Sequence, residues 1–283
     1  MIIVSCLGIS TYISGVLKAV SNLQTALTGI VRLDAFKTNS VATLIPKGFE
    51  RYARIFHPCW RIEGQNRIHK STSWREITER TGAVAHASMQ WEKIFVSSVF
   101  DDEIWPPDVG LIPRVVSVPL KKTLMRHTNH RDCWLAVWVG WGWDYFEHVP
   151  RTQKIGIHGG SGRIYDLFRA PLSMIDTRFF TVKDENVVVF KSWGWTDKVD
   201  ERIPEFAHLS RSKTVIDNTA NIVWADDLSW WLMVDIDLDT TYIGGNSRLI
   251  DELLTNPELE VWEVQPEDGV GIDSDKVNTR SSD

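Results

Sequence analysis

Residues 224–263, WADDLSWWLMVDIDLDTTYIGGNSRLIDELLTNPELEVWE, read in order as an acidic loop, an alternating strand, a Gly-Gly turn, a helix and a second strand. The alternation over 230–239 decides the class. Trp230, Leu232, Val234, Ile236 and Leu238 share one face, and Trp231, Met233, Asp235, Asp237 and Asp239 the other, because successive strand side chains point to opposite sides. The first face is apolar and predicts core. The second ends in three carboxylates about 6.5–7 Å apart, an oxygen-rich row of the kind that binds Ca²⁺ or Mg²⁺. It is not an EF-hand loop, since Thr240 follows Asp239 where a glycine is wanted. Three like charges on one face repel, so neighbouring strands are expected to supply Arg or Lys.

Asp226 and Asp227 fall in the loop before this strand. Aspartates suit turns by bonding their own backbone, and an exposed pair suits a basic partner. Gly244 and Gly245 read as a turn, and Asn246 or Ser247 as the cap of a helix over 248–254.

Two further strands are predicted upstream, over 133–146 and 187–195, both rich in aromatic and branched residues. Each ends in Trp-Gly-Trp, at 141–143 and 193–195. Tryptophans two apart share a strand face, which packs against a neighbour or serves as a ligand platform. Between them, GGSG at 159–162 lacks the Lys-Ser/Thr of a P-loop and the GxGxxG spacing, so it reads as a turn before a strand over 164–168.

The earlier chain reads as helical. In PKGFERYARIFHP (46–58), Phe49, Tyr52, Ala53 and Phe56 recur at helical spacing before Pro58. Ser73 with Glu76 makes a capping box for a helix running towards Gly82. A short segment over 87–95 and a helix within 111–127 follow, the latter interrupted by Pro113 and Pro119.

Bulk properties narrow the function classes. Residues 226–283 carry 15 acidic and 3 basic residues, a net of −12 against −6 for the whole chain, and the longest basic run is Lys121-Lys122. No concentrated basic patch exists for nucleic acid. Cys6, Cys59 and Cys133 are odd in number and form no CxxC, which predicts reduced, buried thiols and a cytoplasmic protein. Residues 1–20 are apolar with Lys18 as their one charge, yet no basic residue precedes the run and no cleavage site follows. A weak amphipathic helix, or a start placed too far upstream, is the expectation; no membrane span is expected. The 14 Trp against 5 Tyr predict large core fillers, with an aromatic-lined cleft as the alternative.

Catalytic signatures are sparse. The eight histidines form neither HExxH nor a paired zinc spacing, and there is no GxSxG elbow. His57 and His86 lie near element ends, where a His with a carboxylate could do acid-base work or simply cap carbonyls.

Five motifs taken together, PxGFxxYARIFHP, SWREIxxxTG with the following QW, CWxAVWxGWG, YDLFRAPL and SWWxxxDIDLDTTYIGGxxxLIDELLxxPxLEVWxV, resemble a family of uncharacterised bacterial, actinobacterial-type proteins over residues 44–264. That resemblance carries no activity and implies an intact soluble unit.

The expectation is an α+β fold, a mostly antiparallel Trp-rich sheet with several packed helices. Residues 1–40 form a poorly specified extension, 41–265 a single globular domain and 266–283 a disordered acidic tail. The function expected is a non-catalytic protein-interaction or regulatory module with no cofactor and an acidic surface at Asp226, Asp227, Asp235, Asp237 and Asp239. The alternatives are a metal-dependent hydrolase on Asp235, Asp237 and Asp239, and a carbohydrate binder on the Trp-Gly-Trp faces.

Overall fold

The computed structural model describes residues 18–19, 39–63, 68–100, 103–141, 154–157, 163–175, 178–182, 187–191 and 215–278. The chain is α+β, and its strands pair antiparallel wherever their register is defined. In chain order it begins with β1 (Lys18–Ala19), β2 (Arg51–Phe56), β3 (Cys59–Glu63) and β4 (Ile68–Thr72), then helices α1 (Trp74–Thr81) and α2 (Trp91–Ile94). Next come β5 (Glu103–Trp105), α3 (Arg114–Leu124), β6 (Asp132–Trp138), β7 (Lys154–Ile157), β8 (Arg163–Pro171) and β9 (Arg178–Val182). The rest is β10 (Val187–Lys191), β11 (Val215–Asn218), β12 (Ile222–Ala225), β13 (Trp230–Met233), β14 (Thr240–Gly245), α4 (Ser247–Leu254) and β15 (Glu260–Val264).

These elements form two compact units. The first comprises 1–32 and 113–231, the second 33–112 and 232–283. In the first unit β8, β6 and β12 lie side by side, with β1 and β7 also on β8. Their register places Trp134 between Arg169 and Trp224. The rings stack across strands, Trp134 on Trp224 at 6.0 Å and Trp224 on Trp231 at 4.5 Å, with the Arg169 guanidinium 5.9 Å from Trp134. Trp224, Trp230 and Trp231 are buried. Here the tryptophans are core. Trp143, Trp193 and Trp195 lie outside the described residues.

The second unit is built on β14, β2 and β15, with β2 in the centre. Residues 51–56 thus form a strand, not the helix expected. Five of its six residues are buried, so both faces are apolar or enclosed and the two-residue alternation disappears. Helix α4 covers one face with Leu249, Ile250 and Leu253. On the other side Phe56, Trp74, Ile77, Met89, Trp91 and Ile94 form one cluster, with Phe56 edge-on to Trp74 at 4.7 Å.

Local signals fare better where they concern caps. Ser73 accepts the Glu76 N–H and Gly82 closes α1 in the left-handed conformation, while Asn246 accepts the Leu249 N–H at the start of α4. Helix α3 accommodates Pro119 internally. Gly244 and Gly245, expected as a turn, instead end β14. A Cβ at Gly244 would lie 2.6 Å from Phe49, and one at Gly245 2.6 Å from Leu249. The pair serves close packing, not chain reversal.

The acidic stretch over 266–283, expected as a disordered tail, is described as far as residue 278. Residues 266–278 fold against the second unit, where Val270 and Asp275 are buried. Val41 and Ala42 donate to Asp268 and Pro266, and Ser40 bridges Gly269. Backbone pairing and a buried carboxylate hold this stretch despite its acidic composition. Among the described residues no helix is long and apolar enough to cross a membrane; residues 1–17 and 20–38 lie outside them.

Candidate functional site

The acidic residues nominated by sequence fall in both units, Asp226 and Asp227 in the first and Asp235, Asp237 and Asp239 in the second. The strand expected over 230–239 stops at Met233, and residues 234–239 turn instead. Asp235 accepts the Asp237 N–H at 3.0 Å and its carbonyl takes the Leu238 N–H at 3.0 Å. Asp bonds of this kind compete with strand pairing. Gly110 fits against the turn: its N–H reaches the Leu238 carbonyl at 2.9 Å, its φ is 78°, and a Cβ would lie 2.8 Å from the Ile236 oxygen. The row of three carboxylates on one face is therefore absent. Asp237 is exposed, and Asp235 and Asp239 are half-buried.

Asp239 is the one with perturbed chemistry. Burial pushes its carboxyl up to about 6; the Arg54 charge opposes this and Glu92 adds to it. Arg54 itself is 1% exposed on β2. Its guanidinium donates to Thr240 Oγ1 at 3.1 Å and to the carbonyls of Ala87 and Met89 at 3.1 and 2.9 Å, and lies 4.4 Å from the Phe56 ring centroid. Buried arginine held by neutral oxygens and aromatic faces is compatible with its weak hydration. No residue pattern in the sequence announces it.

In the first unit Asp226 and Asp227 occupy the turn between β12 and β13. The Asp226 carboxylate pairs with Arg169, which also lies 3.6 Å from Asp132, and His130 Nδ1 is 3.7 Å from Asp226. Asp227 accepts the Ser229 N–H at 3.0 Å and the Thr128 hydroxyl at 2.9 Å. Burial tends to raise the Asp227 carboxyl, but hydrogen bonds from Ser229 and Thr128 outweigh it and hold it below the usual value. The Asp227 side chain shapes the turn, in which Leu228 takes a φ of 54°, and that of Asp226 ties the turn to Arg169 on β8.

The two candidate histidines are likewise engaged. His57 is buried, its Nδ1 3.0 Å from the Asp108 carbonyl and its Nε2 2.8 Å from Thr241 Oγ1. The carbonyl fixes the proton on Nδ1, so Nε2 accepts from Thr241. For His86, the Ser88 N–H points at Nδ1 at 3.3 Å, which places the proton on Nε2, and Nε2 donates to Asp275 at 3.0 Å. Cys59 and Cys133 are free, buried thiols; burial pushes Cys59 up to about 12 and raises Cys133 as well. Such thiols are poor nucleophiles.

No protein-family model, curated protein or solved structure matches this chain. Among the described residues no three His, Cys, Asp or Glu side chains converge so as to hold a metal ion.

What sequence reasoning missed lies around Asp275 and β15. Asp275 is wholly buried and accepts hydrogen bonds from His86 Nε2, the backbone N–H groups of Gln90, Val277 and Asn278, and the Asn278 amide. Burial works against its charge, and the donors from Asn278, Gln90 and Val277 outweigh it, lowering the carboxyl below its ordinary value. On β15, Glu260 caps α1 by accepting the N–H groups of Trp74 and Arg75 at 2.7 and 3.1 Å. Glu263 takes both Arg51 Nε and Nη2 at 2.7 Å, and Arg51 also pairs with Asp251. Beside the end of β15, a cavity of ≈ 360 Å³ is lined by residues including Lys47, Phe49, Tyr52, Val264 and Pro266.

Proposed function

We propose that this protein is a non-catalytic interaction or regulatory module whose second unit meets a basic protein partner. The observation that carries the reading is the division of charge. The second unit holds 23 acidic and 13 basic residues, a net of −10, against +4 for the first. Glu258, Glu267 and Asp273 of its folded C-terminal part are exposed. Complementary charge at the rim of an interface sets encounter rate and partner choice.

Asp226 and Asp227 are poor places to test this, because reversing them would damage a turn. Glu258→Lys combined with Asp273→Lys changes the surface charge by four and leaves those turn bonds intact. Affinity purification of the full chain from its host is expected to recover a basic protein in stoichiometric amount. The double variant should recover much less of it, the more so at low salt. Equal recovery by both forms at every ionic strength would remove the acidic surface from the interaction.

A further inference from the structure

We infer that the outer edge of β15 is a docking strand for an extended, lysine- or arginine-bearing segment of another protein. The inference rests on the interaction reading above and names its geometry.

Among the described residues β15 is the last strand of its sheet and pairs only with β2, in unbroken register from Glu260 opposite Phe56 to Val264 opposite Tyr52. Among the described residues no backbone group bonds to its other side. An open edge presents N–H and C=O groups ready to pair, and proteins commonly blunt it with proline, lysine, a bulge or an inward charge. Residues 260–264, EVWEV, contain neither proline nor lysine, and the register shows no bulge.

Glu260 is an inward charge of this kind at the start of the strand, spent on the start of α1, whereas Glu263 is exposed and paired with Arg51. Burial raises the Glu260 carboxyl while the Trp74 and Arg75 N–H groups pull against it, the mark of a side chain turned inward. What remains on the strand, Val261, Trp262 and Val264, is the composition that favours strand pairing.

The occupant's charge follows from the flanks. Residues 249–275 contain nine acidic residues and no lysine or arginine, and exposed Glu258 and Glu267 stand just before and after the strand. Basic side chains at the two ends of an added strand would meet them. The ≈ 360 Å³ cavity at the end of β15 has room for one anchoring side chain, with Phe49, Tyr52 and Val264 beside the charged Lys47, Arg51 and Glu263 in its lining. In strand addition the backbone supplies affinity and such pockets supply selection.

The test uses the full chain and three capped synthetic decapeptides. One alternates lysine and valine, the second is the same peptide N-methylated along one edge, and the third alternates glutamate and valine. Amide hydrogen exchange and titration calorimetry are the readouts. The Lys-Val peptide is expected to bind and to slow exchange within 260–264, while the N-methylated form binds at least about tenfold more weakly and the Glu-Val form does not bind. Glu258→Lys with Glu267→Lys should weaken the Lys-Val peptide by a similar factor.

Equal binding of the methylated and unmethylated lysine peptides, without protection in β15, would overturn strand addition yet leave an acidic surface that attracts cations. Outer-edge amides of β15 already protected in the free protein would also overturn it, since another part of the chain would occupy the edge. No binding of any peptide overturns the edge assignment alone; the charge-reversal purification judges the broader reading separately.

Discussion

Asp239 and Asp275 enter the interior of the same unit with opposite outcomes. Asp275 is surrounded by five hydrogen-bond donors and is held ionised below its ordinary value. Asp239 sits at the end of a turn, with Arg54 as its one favourable charge and Glu92 opposing, and burial lifts it to about 6. The difference teaches that burial alone does not set a carboxylate's state. The number of N–H groups aimed at it does.

The comparison breaks most severely at Asp275. Asp275→Ala leaves the Gln90, Val277 and Asn278 donors without their acceptor and releases the segment that His86 and Asn278 hold. Asn278 pairs both its amide atoms with the Val84 backbone, at 2.9 and 3.0 Å, so that clasp should loosen too. A loss of about 2–4 kcal/mol is expected in urea unfolding, with early proteolytic cleavage within 266–278. Wild-type stability and an uncut segment would show that the cluster decorates the unit without supporting it.

Asp239 sharpens the comparison through pH. Its folded carboxyl binds a proton more tightly than the unfolded one, so the protonated form favours folding. Stability from this group is therefore greatest at low pH and falls as pH rises from about 4 through about 6. Asp275 has the reverse sign: its contribution is present above the ordinary carboxylate value and is lost as pH falls through its lower folded value. Asp239→Asn should remove the first slope and raise stability at neutral pH by on the order of 1–2 kcal/mol. Unfolding curves across that pH range check this, and a slope that survives the substitution would move the titration to another group.

The readable parts of this chain were those whose signals are short-range. Ser73 with Glu76, Asn246 before α4, and the apolar strands at 133 and 164 all declare themselves within a few residues. β2 does not, because Tyr52, Arg54 and Phe56 on one face are as enclosed as Ala53 and Ile55 on the other. A strand without alternation offers helical spacing by accident. The Asp235, Asp237 and Asp239 row looked like a site because each alternate position matched, whereas the Asp235–Asp237 turn bond decided the backbone. Asp275 was illegible for a different reason. Its donors on His86 and Gln90 lie 189 and 185 residues away, a relation only the folded chain reveals.

Glu258 marks the far end of the comparison, a carboxylate that stays at the surface. Its own N–H bonds to Asn256 Oδ1 at 2.9 Å, so the bend before β15 is set by Asn256 and the backbone rather than by the glutamate side chain. Glu258→Lys should therefore shift unfolding stability by no more than about 0.5 kcal/mol. Exchange of the β15 amides in the free protein should not change either. If the same substitution weakens capture of a basic strand, charge at this position governs association while Asp275 governs folding, and the two kinds of carboxylate are separable. A stability loss as large as that of Asp275→Ala would show instead that the acid holds the bend, and the surface assignment of Glu258 would fall.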